Sequence, residues 1–242
     1  MFEDQKLAVE GIGITASCFS ESVIDDEKPI SGVPSNHLVI YRGWMLNPDQ
    51  YAALDAAVNQ AGSKMLTSSK AYLHAHYLPN WYEQIQEHTP ETIVIPNGSD
   101  YEQELRKLGW DQYFIKDYVK SITTSDGSII QQPSQINDAI KHFTDYRGEL
   151  EGGLCVRRVE DFIPDTERRY FVNRGKAFGA DQNAVPEIVH EVMDRIDLRF
   201  YSVDVIDRTD GIKRVVEIGD GQVSDLKEWT AESFASLWQH EA

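Results

Sequence analysis

Apolar positions along this chain change character about a hundred residues in. Up to that point, short apolar runs alternate with stretches of helical spacing. His37 to Tyr41 (HLVIY) has a buried-strand pattern that ends at Arg42-Gly43. A helix should follow, with Asn47 as N-cap, Pro48 at N1, Gln50 placed to close a capping box and Gly62 as the stop. Tyr51, Leu54, Val58 and Ala61 form its apolar stripe. A second helical stretch runs from about Ser68 into the eighties and breaks near Pro79, and Thr92 to Ile95 (TIVI) reads as a strand. Before all of these, Ile12 to Phe19 reads as a short strand and SESVIDDEKPISGVPS as a loop. This opening is βα-like.

The remainder is dominated by strands. Tyr113 to Val119, Leu154 to Val159 and Arg169 to Asn173 carry the pattern, with helices expected near 133–146 and 186–196. Thr230 opens a terminal helix whose inner face is Phe234, Leu237 and Trp238. The spacing divides the chain into residues 1–100 and 101–242. A hairpin closes the pattern over residues 199–222, where two Val- and Ile-rich runs flank Asp210-Gly211. Asp-Gly favours a two-residue type I′ turn, which needs positive φ at both central positions. That turn sets Thr209 opposite Ile212, Asp207 opposite Arg214, Val205 opposite Val216 and Asp204 opposite Glu217. The last pair puts two carboxylates on one sheet face, with Cβ atoms about 5 Å apart. Like charges so placed repel, so a cation is expected between them unless a longer loop shifts the register or one acid is a solvated edge residue. Mg²⁺ is held by one or two carboxylates plus substrate phosphates, which points to a nucleotide site.

Composition narrows the class. The 242 residues are 41% hydrophobic and 10% aromatic, enough for a packed core. Acidic residues outnumber basic ones 40 to 23, for a net charge of −17. Such a field disfavours binding to nucleic-acid backbones and leaves open docking to a basic partner. Cys18 and Cys155 make neither a disulfide framework nor a zinc spacing. No basic, then apolar leader opens the chain and no run nears the ~20 apolar residues of a membrane span, so a soluble cytoplasmic protein is expected. The five Trp residues read as core or inter-lobe packing. His74 and His76, two apart on a helix, do not face each other and make a poor chelate.

Against this acidic background, Arg157, Arg158, Arg168, Arg169, Arg174 and Lys176 fall within twenty residues. Lys116 and Lys120 in FIKDYVKS share a strand face and could reach one polyanion. Singly, each of these could be a gatekeeper on an edge strand. Together with the paired acids, they fit a phosphate chain with Mg²⁺. Arg42, at a strand end, could hold a substrate carboxylate or pair with an acid.

The order of these pieces resembles the ATP-grasp superfamily, most closely its compact clade named for one arginine and two lysines. FIKDYVKS looks like the lysine strand and phosphate loop, VRRVEDF like the hinge that holds adenine, and ERRYFVNRGKAFGA like the strand whose arginine meets phosphates. The resemblance implies an α+β fold of two sheet-bearing lobes clasping a nucleotide, after a short βα N-terminal region. It implies ATP-dependent carboxylate–amine ligation through an acyl phosphate, with ATP and Mg as cofactors and a small molecule or peptide as substrate. Lys116, Lys120 and Arg169 would meet phosphates. The backbone of Val156, Arg157, Arg158 and Val159 would take adenine, with Glu160 on the ribose. Asp204 and Glu217 would hold the metal. Gly219 stands where the superfamily carries an Asn, so Asp220 is the candidate third ligand. The alternatives are a phosphotransferase of the same fold and a non-catalytic acidic protein with a basic partner.

Overall fold

A computed structural model describes residues 2–20, 22–25, 29–119, 128–147, 149–180 and 184–239. The chain opens on helix α1 (Phe2–Gly11), which the apolar pattern does not announce, and a short α2 (Ser22–Asp25). The strand expected over Ile12 to Phe19 is absent. Ile12 and Ile14 instead pack from irregular chain against a core cluster around Phe200 and Phe234. Strand β1 (Leu38–Val39), helix α3 (Pro48–Gln60) and β2 (Lys64–Met65) form a crossover in which β1 and β2 pair in parallel. Helix α3 has the capping box between Asn47 and Gln50, and Gly62 lies beyond its end at φ +82°. Helices α4 (Ser69–His76) and α5 (Leu78–Tyr82) follow, with Pro79 in the first turn of α5.

Two four-stranded antiparallel sheets make up the rest. The first has the order β3-β6-β4-β5, from β3 (Thr92–Pro96), β4 (Tyr113–Lys116), β5 (Ile129–Ile130) and β6 (Gly153–Arg158). Helices α6 (Tyr101–Leu108) and α7 (Ile136–Arg147) cover one of its faces. There Ile95, Tyr113, Ile115, Leu154 and Val156 meet Leu105, Ile136 and Phe143. By the alternation of strands, Lys116, Cys155 and Arg157 project from the other face. A boundary at residue 100 would separate β3 from β6, the strand it pairs with, so residues 92–96 belong with the second part of the chain.

The second sheet has the order β10-β9-β7-β8, from β7 (Arg168–Asn173), β8 (Lys176–Phe178), β9 (Phe200–Asp207) and β10 (Lys213–Asp220). Val172, Tyr201, Val203, Val205 and Ile218 pack on α8 (Glu187–Met193), α5 and Trp81. Phe171 and Phe200 face the other way, onto Trp229 and onto Phe234 of α9 (Ala231–Ala235). Trp81, Trp229 and Trp238 are buried as expected, but Trp44 is 68% exposed.

The hairpin turn differs from expectation. Arg208 and Ile212 close a three-residue loop, Thr209–Gly211, with Gly211 at φ +86°. This is a type I turn followed by a left-handed glycine. The longer loop shifts the near register by one, so Asp207 faces Lys213 and Val205 faces Val215. A bulge at Val216 then absorbs one residue, and Asp204 faces Glu217 after all. The two departures cancel.

The bulge has a specific anchor. The Val216 carbonyl accepts from the buried Arg157 guanidinium, which also donates to Thr92 Oγ1 at 3.2 Å and Thr89 Oγ1 at 3.0 Å. Replacing Arg157 by Met leaves these buried acceptors short of a charged donor, a change of about 3 kcal/mol. Urea unfolding of Arg157→Met should show that loss. Unchanged stability would mean that the bulge holds without the anchor.

Candidate functional site

The acidic pair on the hairpin lies where three cations converge. Lys116 ends β4 and is only 1% exposed. Its Nζ meets both oxygens of Glu217, at 2.9 and 3.1 Å, bridging the two sheets. Arg169, opposite Asp204 on the neighbouring strand, grips it bidentately through Nε to Oδ1 at 2.8 Å and Nη2 to Oδ2 at 2.7 Å. Lys227 adds a third cation, with Nζ 2.8 Å from Asp204 Oδ2. Arg169 Nη1 also meets Asp225 at 2.5 Å, and its backbone N–H donates to Glu228. The repulsion expected between Asp204 and Glu217 is therefore offset by side chains of the protein itself.

The electrostatics follow from these contacts. Burial pushes the Asp204 carboxyl up, but Arg169 and Lys227 outweigh it and hold it below the usual carboxylate range. Burial likewise lowers Arg169 and Lys227, and their carboxylate partners reverse the direction for both.

Other expected site residues are occupied elsewhere. Asp220 lies three residues past Glu217 in a regular ladder, so its side chain leaves the opposite face. It does not join Asp204 and Glu217. Its Oδ1 accepts from Gln222 N at 3.0 Å and Gln222 Nε2 at 3.2 Å, in a network that reaches Tyr51. Gly219 is the next position on the face of Asp204 and Glu217. A Cβ there would lie 2.9 Å from the hydroxyls of Ser202 and Ser224, which bond each other at 2.7 Å. That side carries a serine pair beyond Glu217, and Asp220, expected as a third metal ligand, is instead buried on the opposite face.

Arg42 donates to Gln5 Oε1 and to the carbonyls of Gly221, Gln222 and Ser224, at 2.7 to 3.1 Å. Its guanidinium also lies over the Phe234 ring, and burial lowers its pKa to about 10. Arg42 anchors the chain after β10, so its donors are engaged by the protein itself rather than held out for a substrate carboxylate.

At the hinge, β6 is an inner strand. The backbone groups of Val156, Arg157 and Arg158 are directed into ladders with β3 on one side and β4 on the other. Of the residues expected to take adenine by backbone, Val159 is the first that lies past both ladders. Glu160 is paired with Arg214, at 2.9 and 3.0 Å, and with Arg208 at 3.1 Å, and so ties the hinge to the hairpin. Lys120 and the phosphate-loop residues to Gly127 lie outside the described residues. Sequence reasoning misses Lys227, Asp225 and Glu228. They sit in a short linker, VSDLKEW, with neither strand nor helix period to orient them.

The donors suit a hard cation. Asp204 and Glu217 offer carboxylate oxygens from adjacent strands, and among the described residues no group of three or more His, Cys, Asp or Glu could hold a metal ion. Two carboxylates fit Mg²⁺ brought in with phosphates, which completes its shell from the nucleotide and water.

Two antiparallel sheets meeting over such a cluster agree with the ATP-grasp class. The chain belongs to an ATP-grasp domain family, the third of the clade named for one arginine and two lysines, whose pattern matches residues 49–240. The fold is shared with the crystal structure of D-cycloserine synthetase DcsG, with a TM-score of 0.67 and 15% identity over 98% of this chain and 93% of that one. A RimK domain ATP-grasp protein from Sphaerobacter thermophilus matches with a TM-score of 0.64 and 14% identity, over 97% and 93% of the two chains. The ATP-grasp ligase PsnB with its minimal precursor matches with a TM-score of 0.63 and 9% identity, over 100% and 95%. No curated protein matches the chain. No helix among the described residues is long and apolar enough to cross a membrane.

Two acids should behave oppositely on titration. Asp204 is held below the usual carboxylate range, so its contribution to stability is present above that range and is lost as pH falls through its lowered value. Asp204→Asn should cost about 3 kcal/mol at pH 7, because it removes the buried, bidentate counter-ion of Arg169 and leaves the largely exposed Asp225 to offset its charge. A variant as stable as wild type would revive simple repulsion. Burial pushes Asp220 up to about 7, against the pull of Gln222. Its contribution is full below the unfolded value near 4 and is lost as pH rises through about 7. Between about pH 5 and 8.5, wild type should lose about 3 kcal/mol more than Asp220→Asn in urea unfolding. Parallel pH profiles would refute the raised pKa.

Proposed function

We propose that this protein is an ATP-dependent carboxylate–amine ligase acting through an acyl phosphate. The observation that carries the reading is the meeting of Lys116, Arg169, Asp204 and Glu217 between the two sheets, in a chain of an ATP-grasp family. ATP lies between the sheets in this reading, with its adenine at the hinge by Val159. Lys116 and Arg169 exchange part of their hold on Glu217 and Asp204 for phosphate oxygens. Asp204 and Glu217 hold Mg²⁺, which when bound supplies charge neutralisation along the phosphates. Lys120, the second lysine of FIKDYVKS, contributes a further positive charge to the phosphate chain.

The chemistry needs positioning more than acid–base work. A substrate carboxylate oxygen forms a bond to the γ-phosphorus as the bond to the β-bridging oxygen breaks, and ADP leaves. An amine nitrogen then bonds to the acyl carbon, inorganic phosphate leaves, and the amine proton passes to solvent. Arg169 is fixed by Asp204, Asp225 and the strand itself, so its donors are preorganised for the charge that develops on phosphate. Substrates of this class, a small molecule or peptide with a carboxylate and an amine donor, agree with ligases such as D-cycloserine synthetase and PsnB that share the fold.

Product analysis tests the route. Incubation with ATP, Mg²⁺ and a carboxylate–amine panel should yield ADP and phosphate in step with a new amide seen by mass spectrometry. AMP and pyrophosphate would refute the acyl-phosphate route. A stable phosphorylated product with no amine incorporated would identify a phosphotransferase. Calorimetry that detects no nucleotide binding would leave the acidic binding protein as the better reading.

A further inference from the structure

Of the three cations on the acidic pair, two are built into strands and one is not. Lys116 and Arg169 are fixed by ladder register and are nearly buried. Lys227 comes from the linker after β10, and its side chain is 28% exposed. Its backbone sits at φ +45°, in the left-handed region that a lysine adopts only under constraint. Its ammonium bridges Asp204 Oδ2 and the Glu167 carboxylate.

Asp204 oxygens differ in what they carry. Among the described residues, Oδ1 accepts from Arg169 Nε alone, whereas Oδ2 accepts from both Arg169 Nη2 and Lys227 Nζ. A carboxylate oxygen has about two lone-pair positions, so Oδ2 is filled. A cation approaching Asp204 at Oδ2 meets Lys227 first. Leaving is also easiest for Lys227: its stem is flexible, its head is partly solvated and its linker is strained. Arg169 is held by two bonds to Asp204 and two to Asp225.

We propose that Lys227 is a tethered counter-ion that neutralises Asp204 in the metal-free protein and is displaced when the metal–nucleotide enters. This inference rests on the nucleotide-site reading above. It makes Lys227 a positioning residue, one that keeps the Asp204 carboxylate aimed and charged without a metal and sets the concentration at which the metal takes over.

The test uses ADP and Mn²⁺ with the full chain, read by water-proton relaxation and calorimetry rather than by turnover. Lys227→Gly removes the charge and suits the positive φ, Lys227→Asn does the same while keeping a side chain, and Lys227→Arg keeps the charge. With ADP present, Lys227→Gly and Lys227→Asn should bind Mn²⁺ about tenfold or more tightly than wild type, the equivalent of one charge-assisted hydrogen bond. Lys227→Arg should match wild type, and metal-free ADP binding should be the same in all four proteins. Equal Mn²⁺ affinity in wild type and the neutral variants overturns the proposal and leaves the nucleotide site standing. A loss of metal-free ADP binding in the neutral variants, with Mn²⁺ affinity unchanged, also overturns it and makes Lys227 a phosphate ligand. Failure of every protein to bind ADP with Mn²⁺ overturns both readings. If both neutral variants are unfolded by circular dichroism while Lys227→Arg folds, Lys227 is structural and the proposal fails.

Discussion

The bulge at Val216 is the constraint on which the site depends. Side chains alternate along a strand, so one extra residue moves everything beyond it to the other face. Without the bulge, the three-residue turn at Thr209–Gly211 would leave Glu217 facing Val203, not Asp204. The bulge restores the pair, and it also offers an unladdered carbonyl that Arg157 of the first sheet takes up. Arg214, Val216 and Glu217 of the hairpin each receive a contact from the first sheet or its hinge, through Glu160, Arg157 and Lys116 respectively. The edge strand of one sheet is therefore the line along which the two sheets are joined.

Much of this is legible in the chain, and the failures have physical causes. Helix α3 is legible because capping is local: Asn47, Pro48, Gln50 and Gly62 act within a turn of the backbone they cap. The long strands are legible by their apolar runs. The pairing of Asp204 with Glu217 is reached for a partly mistaken reason, since a wrong turn and an unseen bulge compensate. Nothing near Val216 in the sequence signals a bulge, because its anchor, Arg157, is 59 positions away. Distance also hides the fate of Arg42, whose carbonyl partners begin at Gly221. Asp220 is misplaced when a third ligand is sought by chain proximity, because the strand period turns it away. Ile12 to Phe19 has strand-forming residues, but Ile12 and Ile14 go into the core cluster around Phe200 and Phe234 and the segment pairs with no strand among the described residues.

The site is acidic in composition and balanced in place. A chain of net charge −17 repels a nucleotide at long range. Close in, the buried cations Lys116 and Arg169 offset the carboxylates of Glu217 and Asp204. Buried ion pairs contribute little net stability compared with apolar packing, because desolvation offsets their attraction. Their persistence here is better explained by what they keep ready. Each pair is a charged donor and a charged acceptor held in register, which on the ligase reading proposed above would part around a polyanion with its metal. A hydrophobic substitute would pack as well and would offer the phosphates nothing.

The N-terminal part is bound into the same arrangement. Arg42 grips the carbonyls of Gly221, Gln222 and Ser224, while Gln222 accepts from Tyr41 N and donates to Tyr51 Oη. The segment so held leads directly to Asp225, Lys227 and Glu228, the three linker residues that reach Arg169 and Asp204. Loops stay mobile unless their backbone groups are satisfied by neighbours, and here the crossover β1–α3–β2 supplies those neighbours. The strain at Lys227 is tolerable only because the chain is fixed just before it. The N-terminal crossover is thus joined to the Arg169–Asp204 cluster through the backbone of the linker.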